Sequence, residues 1–189
     1  MSIMDALKDG KPLYHTSYTL IERIDLGRCK KTNDFGRGFY LTTSKDQALR
    51  FVNAALRKSG GDLQSGYILS YAFERTDDLN ICEFRSTDAE WLHCICGHRR
   101  RIGRIAALWD SYDVLAGKVA NDDTNATITF YLNGAYGEIG SEDAVAATLR
   151  QLHPEALENQ ICLKTQSALD CLKLVGYEEA PKYERDLQG

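Results

Sequence analysis

The sequence has few features that would divide the chain. It contains three prolines in 189 residues, and it has no internal repeat and no low-complexity tract. Because proline-rich stretches and repeats are typical of linkers and solenoids, their scarcity favours one domain over residues 1–189. Residues 58–66 (KSGGDLQSG) are typical of a surface loop, and residues 182–189 are polar and expected to fray.

Long apolar runs are also absent. No stretch approaches the roughly 18–20 residues of a membrane span. The first eleven residues lack the basic segment and apolar core of a signal peptide. These absences predict a cytoplasmic protein that does not bind membranes. The net charge of −4 and the pI of about 5.6 argue against attraction of the whole surface to nucleic acid, but they leave room for a local basic patch.

The chain has six cysteines, which are expected to be reduced in the cytoplasm. The segment from His93 to His98, which includes Cys94 and Cys96, is the one cluster of metal-ligand type. Its C-x-C spacing lacks the second pair of ligands that zinc sites use. We therefore expect no metal site and interpret Cys94 and Cys96 as buried helix cysteines.

Hydrophobic periodicity predicts a mixture of strands and helices. The predicted strands lie at 12–16, 38–43, 67–73, 112–116 and 161–165. Capping signals predict that helices begin at Ser44, Thr87 and Ser141, and a short helix is predicted at 166–174. Residues 125–132 fit either a strand or a helix. This pattern indicates an α+β fold in which strands near both ends of the chain share one core.

Three short motifs place polar residues in strand-like sequence. The first is Leu-Tyr-His-Thr-Ser at 13–17, with His15 at its centre. The second is Asp-Phe-Gly-Arg-Gly-Phe-Tyr-Leu-Thr at 34–42, where glycines allow a sharp turn or a close approach to a ligand. The third is Glu-Asn-Gln-Ile-Cys-Leu at 158–163. Each motif alone also fits a structural role, and the second lacks the third glycine of the dinucleotide-binding fingerprint.

Together these motifs resemble the ADP-ribosyltransferase superfamily, in its diphtheria-toxin and poly(ADP-ribose) polymerase branch. The signature of that branch is a His on the first core strand, a Tyr on the second, and a Glu or its substitute at the start of a later strand. His15, Tyr40 and Gln160 match it in that order. The match covers mainly 13–52 and 158–165, and most of the chain is also similar to an uncharacterised bacterial family in this superfamily. The resemblance implies a split antiparallel or mixed β-sheet core with flanking helices.

The resemblance further implies that NAD is a substrate and that His15, Tyr40 and Gln160 are catalytic. Tyr40 would stack on nicotinamide, with Phe51 as the opposite wall. His15 would bond a ribose hydroxyl, and Gln160 would orient the 2′-hydroxyl as positive charge develops on the ribose. The implied NAD-binding residues are His15, Thr16, Ser17, Phe35, Gly36, Arg37, Gly38, Tyr40 and Phe51. Thr16 replaces the family's usual Gly, and Gln160 replaces its Glu.

The implied activity is mono-ADP-ribosyl transfer from NAD to a macromolecular acceptor, either protein or nucleic acid. Bacterial toxins and phage-defence effectors are common in this superfamily, so a small antitoxin protein is an implied partner. Two alternatives stay open. One is an NAD glycohydrolase with water as acceptor, and the other is a non-catalytic module that binds NAD or ADP-ribose.

Charged residues near the motifs admit two interpretations. Glu158 falls on the same strand face as Gln160, and either assists with the acceptor or is a solvated charge. Four cations before Tyr40 either meet the pyrophosphate or lie on a solvated loop; they are Arg28, Lys30, Lys31 and Arg37. For the basic run at 99–101 and Arg104, we favour a solvated helix end over contact with a phosphate.

Overall fold

The computed structural model describes residues 3, 7, 10–59, 63–74, 78–100, 103–120, 122–152 and 157–182, apart from the side chains of residues 122 and 123. Within these ranges the chain has an α+β fold with two β-sheets. The strands are β1 (Leu13–Ser17), β2 (Phe39–Leu41), β3 (Ser65–Phe73), β4 (Ile81–Glu83), β5 (Val114–Lys118), β6 (Asn159–Leu163) and β7 (Leu172–Pro181). The helices are α1 (Lys45–Lys58), α2 (Ala89–Arg99), α3 (Gly103–Ala106), α4 (Asp122–Leu132), α5 (Glu142–Gln151) and α6 (Gln166–Asp170).

The first sheet has the antiparallel order β1-β3-β7, with β3 in the middle. The second has the order β2-β6-β5-β4, in which only the β4–β5 pair is parallel among the described strands. Among the residues that the structure describes, one isolated bridge connects the two sheets, because Tyr14 and Thr42 exchange backbone hydrogen bonds of 2.8 and 2.9 Å. This bridge brings β1 beside β2, which carry His15 and Tyr40.

Alternation along the strands divides the apolar side chains between different cores. Leu13, Phe39 and Ile161 belong to a buried cluster that packs the two sheets together. On the other face of the second sheet, Leu115 and Cys162 pack with Trp91 of α2. Tyr40 lies against this second cluster, and Gln160 has the strand parity of Cys162, so both project from the face of the second sheet that carries α2.

The capping predictions are confirmed for two helices and shifted by one residue in a third. Ser44 and Ser141 are N-caps, and their hydroxyls accept from the backbone N–H groups of Gln47 and Ala144. The helix predicted to begin at Thr87 is instead capped by Asp88, whose carboxylate accepts from Trp91 N–H. Residues 125–132, which fitted two structures, lie in α4.

The prediction of a helix at 166–174 is wrong for the second half of that range. The helix ends at Asp170, and Leu172–Pro181 form β7. This edge strand is exposed at most positions, so it lacks the apolar alternation that predicts a strand, and its pairing with β3 decides its structure. The strand β4 was not predicted, because three residues are too few to show a period. Of the segments expected to be loop or frayed end, residues 60–62 and 183–189 lie outside the described residues.

Cys94 and Cys96 are buried in α2, as predicted from their place in an apolar helix. In the described ranges, no three His, Cys, Asp or Glu side chains are grouped as they would be to hold a metal ion. No described helix combines the length and the apolar character needed to cross a membrane.

Candidate functional site

A cleft of about 1350 Å³ lies where α1, β6, α4 and the loop before β2 meet. Four of the residues expected to be catalytic or to bind NAD line it: Thr16, Tyr40, Phe51 and Gln160. One face of α4 closes the cleft with residues spaced three or four apart, namely Asn125, Ile128, Thr129 and Leu132. The residues of the three sequence motifs therefore converge on one concavity, although two of the motifs are more than a hundred positions apart from the third.

Tyr40 closes the loop that precedes its own strand. Its hydroxyl accepts from the backbone N–H of Phe35 at 2.9 Å and donates to the carbonyl of Gly36 at 2.8 Å. Burial, chiefly, raises the pKa of Tyr40 well above its ordinary value, so the phenol stays protonated. Because the hydroxyl is engaged in these bonds, Tyr40 offers the cleft its ring rather than its oxygen.

Two glycines make this loop possible. Gly36 has φ of +79°, and a Cβ there would lie 2.6 Å from Nδ1 of the buried His98. A Cβ on Gly38 would lie 2.3 Å from Sγ of Cys162, which is paired with Tyr40 across β2 and β6. The glycines therefore permit a tight turn over His98 and close contact between the strands. Burial raises the pKa of Cys162 to about 12, so this thiol is not a nucleophile at neutral pH.

His15 reaches the same loop from β1. Its Nδ1 lies 2.7 Å from the backbone carbonyl of Tyr40, and its ring stacks on Phe39 at 4.1 Å between centroids. Because a carbonyl oxygen only accepts, Nδ1 must carry the proton, and Nε2 of the neutral ring is then an acceptor. Burial lowers the pKa of His15, and the hydrogen bond to Tyr40 opposes this only in part, which favours the neutral ring.

Gln160 is held in one orientation by two acceptors. Its Nε2 donates to Oδ2 of Asp34 at 2.8 Å and to the carbonyl of Lys118 at 3.2 Å. Since carboxylate and carbonyl oxygens both accept, these bonds identify the nitrogen of the amide. The Oε1 atom makes no hydrogen bond within the described chain, and Gln160 lines the cleft. The residue therefore has one acceptor available to a ligand.

Asp34 connects this amide to the rest of the site, and the sequence motifs had not singled it out. It is 6% exposed, and its Oδ2 also accepts from the backbone N–H of Ala120 at 2.8 Å. Its Oδ1 accepts from Arg99 Nε at 2.8 Å. The signal that could have found Asp34 is its position: it is an acidic residue directly before the buried Phe35 and the glycine turn, where burial demands partners.

Arg99 corrects the interpretation of the basic run as a solvated helix end. Its side chain is only 19% exposed, and besides Asp34 it bonds Asn125 at 3.0 Å and the carbonyl of Ala120. It therefore joins the end of α2 to the loop before β2 and to α4. Arg100 also lines the cleft, Arg104 is exposed, and residue 101 lies outside the described residues.

Other residues expected to bind NAD do not line the cleft. The Phe35 ring is fully buried and stacks on Phe84 at 5.6 Å between centroids, so its side chain is not available to a ligand in the cleft. Arg37 is exposed, and Ser17 Oγ accepts from Thr19 N–H at 3.2 Å. Among the residues expected to bind NAD, those outside the cleft lining are His15, Ser17, Phe35, Gly36, Arg37 and Gly38. His15, Gly36 and Gly38 act on the cleft indirectly, through the position of Tyr40.

The cleft is lined by more cations than carboxylates, in a chain whose net charge is negative. Its cations are Lys30, Arg50, Arg57, Lys58, Arg99 and Arg100, and its carboxylates are Asp34 and Glu158. Arg99 is paired with Asp34, and Arg50 is paired with Glu158. Lys30, Arg57 and Arg100 form no ion pair with any residue that the structure describes. The cleft therefore attracts anions.

Comparison with known proteins gives a family and no function. A family model with the description "Protein of unknown function (DUF3990)" matches residues 12–174. No curated protein and no solved structure matches the chain.

Proposed function

The chain belongs to the DUF3990 family, and from the geometry of its cleft we propose that it is a mono-ADP-ribosyltransferase that uses NAD as substrate. In this proposal it cleaves the bond between nicotinamide and ribose and transfers ADP-ribose to a macromolecule. Its fold is the ADP-ribosyltransferase-like variant of the α+β class, and a small antitoxin is its expected partner, as the resemblance implies.

One observation carries the proposal. Hydrogen bonds tie His15, Tyr40 and Gln160, the three residues that match the superfamily signature, to the same stretch of chain, residues 34–40. His15 bonds the backbone of Tyr40, the Tyr40 hydroxyl bonds the backbone of Phe35 and Gly36, and the adjoining Asp34 bonds Gln160. A resemblance by chance would not require these three side chains to share one loop.

The aromatic residues suit a flat, cationic ring. Tyr40 lines the cleft, and its hydroxyl is held by the backbone, so the part of the side chain that remains for a ligand is its ring. Phe51 lines the same cleft and is 39% exposed, which is unusual for a phenylalanine on a helix that buries Ala48 and Val52. Two aromatic walls would bind the pyridinium ring of NAD by stacking and cation–π attraction.

The polar residues suit the ribose. Oε1 of Gln160 is an acceptor for a hydroxyl proton, and His15, which lies outside the cleft lining, contributes through the position of Tyr40. Gln160 orients a hydroxyl without supplying the full negative charge of a glutamate. Asp34 fixes the amide and contributes a nearby carboxylate, partly neutralised by Arg99. In this proposal, positive charge that builds on the ribose during bond cleavage is stabilised by the amide oxygen of Gln160, whose orientation is fixed before the ligand binds.

The reaction balances without any further reactant. The bond from nicotinamide nitrogen to ribose C1′ breaks, and its electron pair leaves with neutral nicotinamide. A lone pair of the acceptor forms the new bond to C1′, and the acceptor's proton passes to solvent. The cations of the cleft attract the two negative charges of the pyrophosphate.

The test is turnover of NAD labelled in its adenylate phosphate, with wild type compared with His15→Gln, Tyr40→Phe, Tyr40→Ala and Gln160→Met. We expect label on a macromolecule with wild type, and at least a tenfold loss with His15→Gln, Tyr40→Ala and Gln160→Met. Tyr40→Phe keeps the stacking ring and should lose less than Tyr40→Ala. Gln151→Ala, on the exposed end of α5, is the control and should match wild type.

Each alternative activity gives a different result in this experiment. Free ADP-ribose with no labelled macromolecule would identify a glycohydrolase. Saturable binding of NAD without turnover would identify a binding module. If the folded variants turn over NAD as fast as wild type, the proposed site is wrong.

A further inference from the structure

We infer that the mouth of the cleft binds a single-stranded nucleic acid, and that this is the acceptor of ADP-ribose. The inference rests on the proposed function, because it names the acceptor class for the same site. It is carried by three observations: the cations around the mouth, an exposed aromatic side chain among them, and the size of the cleft.

The cations come from separate elements that surround the opening. Lys30 is in the loop before β2, Arg57 is in the last turn of α1, and Arg100 follows the last residue of α2. All three are exposed and form no ion pair with the described residues. By contrast, the deeper cation Arg99 is already neutralised by Asp34. Unpaired cations at the rim are available to phosphates that approach from solvent.

Tyr18 distinguishes a nucleic acid from an acidic protein. It lines the cleft and is 45% exposed, just after β1 ends at Ser17. Proteins that bind single strands combine a cationic groove with aromatic rings on which bases stack. An acidic peptide would use the cations but not the ring. An exposed tyrosine that lines the same cleft as unpaired Lys and Arg side chains therefore favours a strand with exposed bases over an acidic peptide.

The size of the cleft leaves space for a second substrate. Sites for single small molecules usually measure roughly 300–1000 Å³, whereas this cleft measures about 1350 Å³. A dinucleotide seated on Tyr40 and Gln160 would occupy the buried part and leave the rim open. The acceptor then supplies a nucleotide oxygen or nitrogen, whose lone pair forms the bond to C1′ as nicotinamide leaves, and its proton passes to solvent.

The experiment uses a 20-nucleotide single-stranded RNA, the same sequence as DNA, its duplex, and polyglutamate. Fluorescence anisotropy measures binding, and labelled NAD measures transfer. We expect wild type to bind and label a single strand, with affinity that falls as salt rises. Lys30→Glu, Arg57→Glu and Arg100→Glu together should reduce strand binding at least tenfold when it is measured without NAD, so that any effect on the pyrophosphate of NAD does not enter. Tyr18→Ala should weaken strand binding about tenfold and duplex binding much less.

A matched variant controls for total charge. Arg104→Glu, Arg150→Glu and Lys173→Glu make the same change in net charge at exposed positions outside the cleft lining, and this triple variant should bind and label the strand as wild type does. The inference is overturned if label goes to polyglutamate alone, if no strand binds, or if the two triple variants bind equally. In any of these cases, turnover of NAD by wild type would leave the proposed function standing. Absence of turnover would reject the proposed function, while anisotropy would still decide strand binding.

Discussion

Gln160 donates a hydrogen bond from its side-chain amide to the carboxylate of Asp34, at 2.8 Å and across 126 positions of the sequence. This bond joins the start of β6 to the loop before β2, and it places a neutral and an acidic residue together on one wall of the cleft. The amide of Gln160 is thus held by a carboxylate. Asp34 is therefore a positioning residue for Gln160.

We predict that the free energy of unfolding depends on which side chain of the Asp34–Gln160 pair carries the negative charge. Gln160→Glu sets two carboxylates at hydrogen-bond distance and should lower the free energy of unfolding by roughly 2 kcal/mol. Asp34→Asn leaves the half-buried Arg99 without its partner and should cost about 3 kcal/mol. The double variant returns one carboxylate and one amide to the pair. Its loss should be at least about 1 kcal/mol smaller than the sum of the single losses.

Urea unfolding of the four proteins measures this coupling. A double variant whose loss equals the sum would show that the two side chains do not depend on each other. The hydrogen bond from residue 160 to the Lys118 carbonyl is available in both proteins that keep Gln160 and in neither protein with glutamate there. Its loss is therefore common to both comparisons and cancels from the coupling between residues 34 and 160.

Gly36 should tolerate a side chain less well than another glycine of similar backbone conformation. An alanine at position 36 would have to adopt a φ of +79°, and its Cβ would clash with the ring of His98. An alanine at position 10 would have to adopt a φ of +64°, but no atom lies within 4 Å of its Cβ. We expect about 1 kcal/mol of destabilisation for Gly10→Ala and about 2–4 kcal/mol for Gly36→Ala. Thermal and urea unfolding measure both. Equal losses at the two positions would mean that the turn moves away from His98 without cost.

Phe51 should matter for ligand binding and little for stability. It is 39% exposed and lines the cleft, while Phe130 on α4 is 53% exposed and lies outside the cleft lining. We expect Phe51→Ala and Phe130→Ala each to change the free energy of unfolding by less than about 1 kcal/mol. Phe51→Ala alone should weaken NAD binding, by about tenfold if stacking on nicotinamide is lost. Calorimetric titration with NAD separates the two variants, and equal affinities would remove Phe51 from the site.

His98 should make stability depend on pH. Burial, assisted by the charge of Lys164, lowers the pKa of His98 to about 4 from 6.5. Between these values the unfolded chain binds a proton that the folded protein does not, so the free energy of unfolding falls as pH decreases from 6.5 to 4. The expected loss is on the order of 3 kcal/mol, and the contribution is fully present above pH 6.5.

The measurement compares urea unfolding of wild type and His98→Gln at several pH values across that window. Subtracting the two curves removes the carboxyl groups and His15, which titrate in both proteins. A difference that does not change with pH would mean that folding leaves the pKa of His98 unchanged.

Most of the regular elements could be predicted from the sequence, because caps and apolar spacing act over a few residues. Ser44 and Ser141 show this, since each hydroxyl caps a helix whose apolar spacing is visible in the next ten residues. β7 shows the limit. Its exposed edge position leaves no apolar alternation, and its hydrogen bonds to β3 decide its structure.

The candidate site divides in a similar way. Tyr40, Phe51, Thr16 and Gln160 could be picked out because they stand in recognisable local patterns, and they line one cleft. The pairing of Asp34 with Arg99 could not be predicted, because nothing near either residue in the sequence shows that the other neutralises it. A buried charge is stable only when an opposite charge lies beside it, and Arg99 is 65 positions away from Asp34 in the sequence.

By itself, the sequence determined the α+β class, most helix starts and the three motifs with His15, Tyr40 and Gln160. Only the tertiary structure decided that His15 and Gln160 both contact the stretch of chain at 34–40, where Asp34 holds Gln160. It also decided that Lys30, Arg57 and Arg100 line one cleft. The physical reason is how far apart in the sequence the interacting residues lie. Helix caps and strand alternation act between neighbours in the chain, whereas ion pairs, oriented amides and the charge of a cleft depend on residues that folding alone brings together.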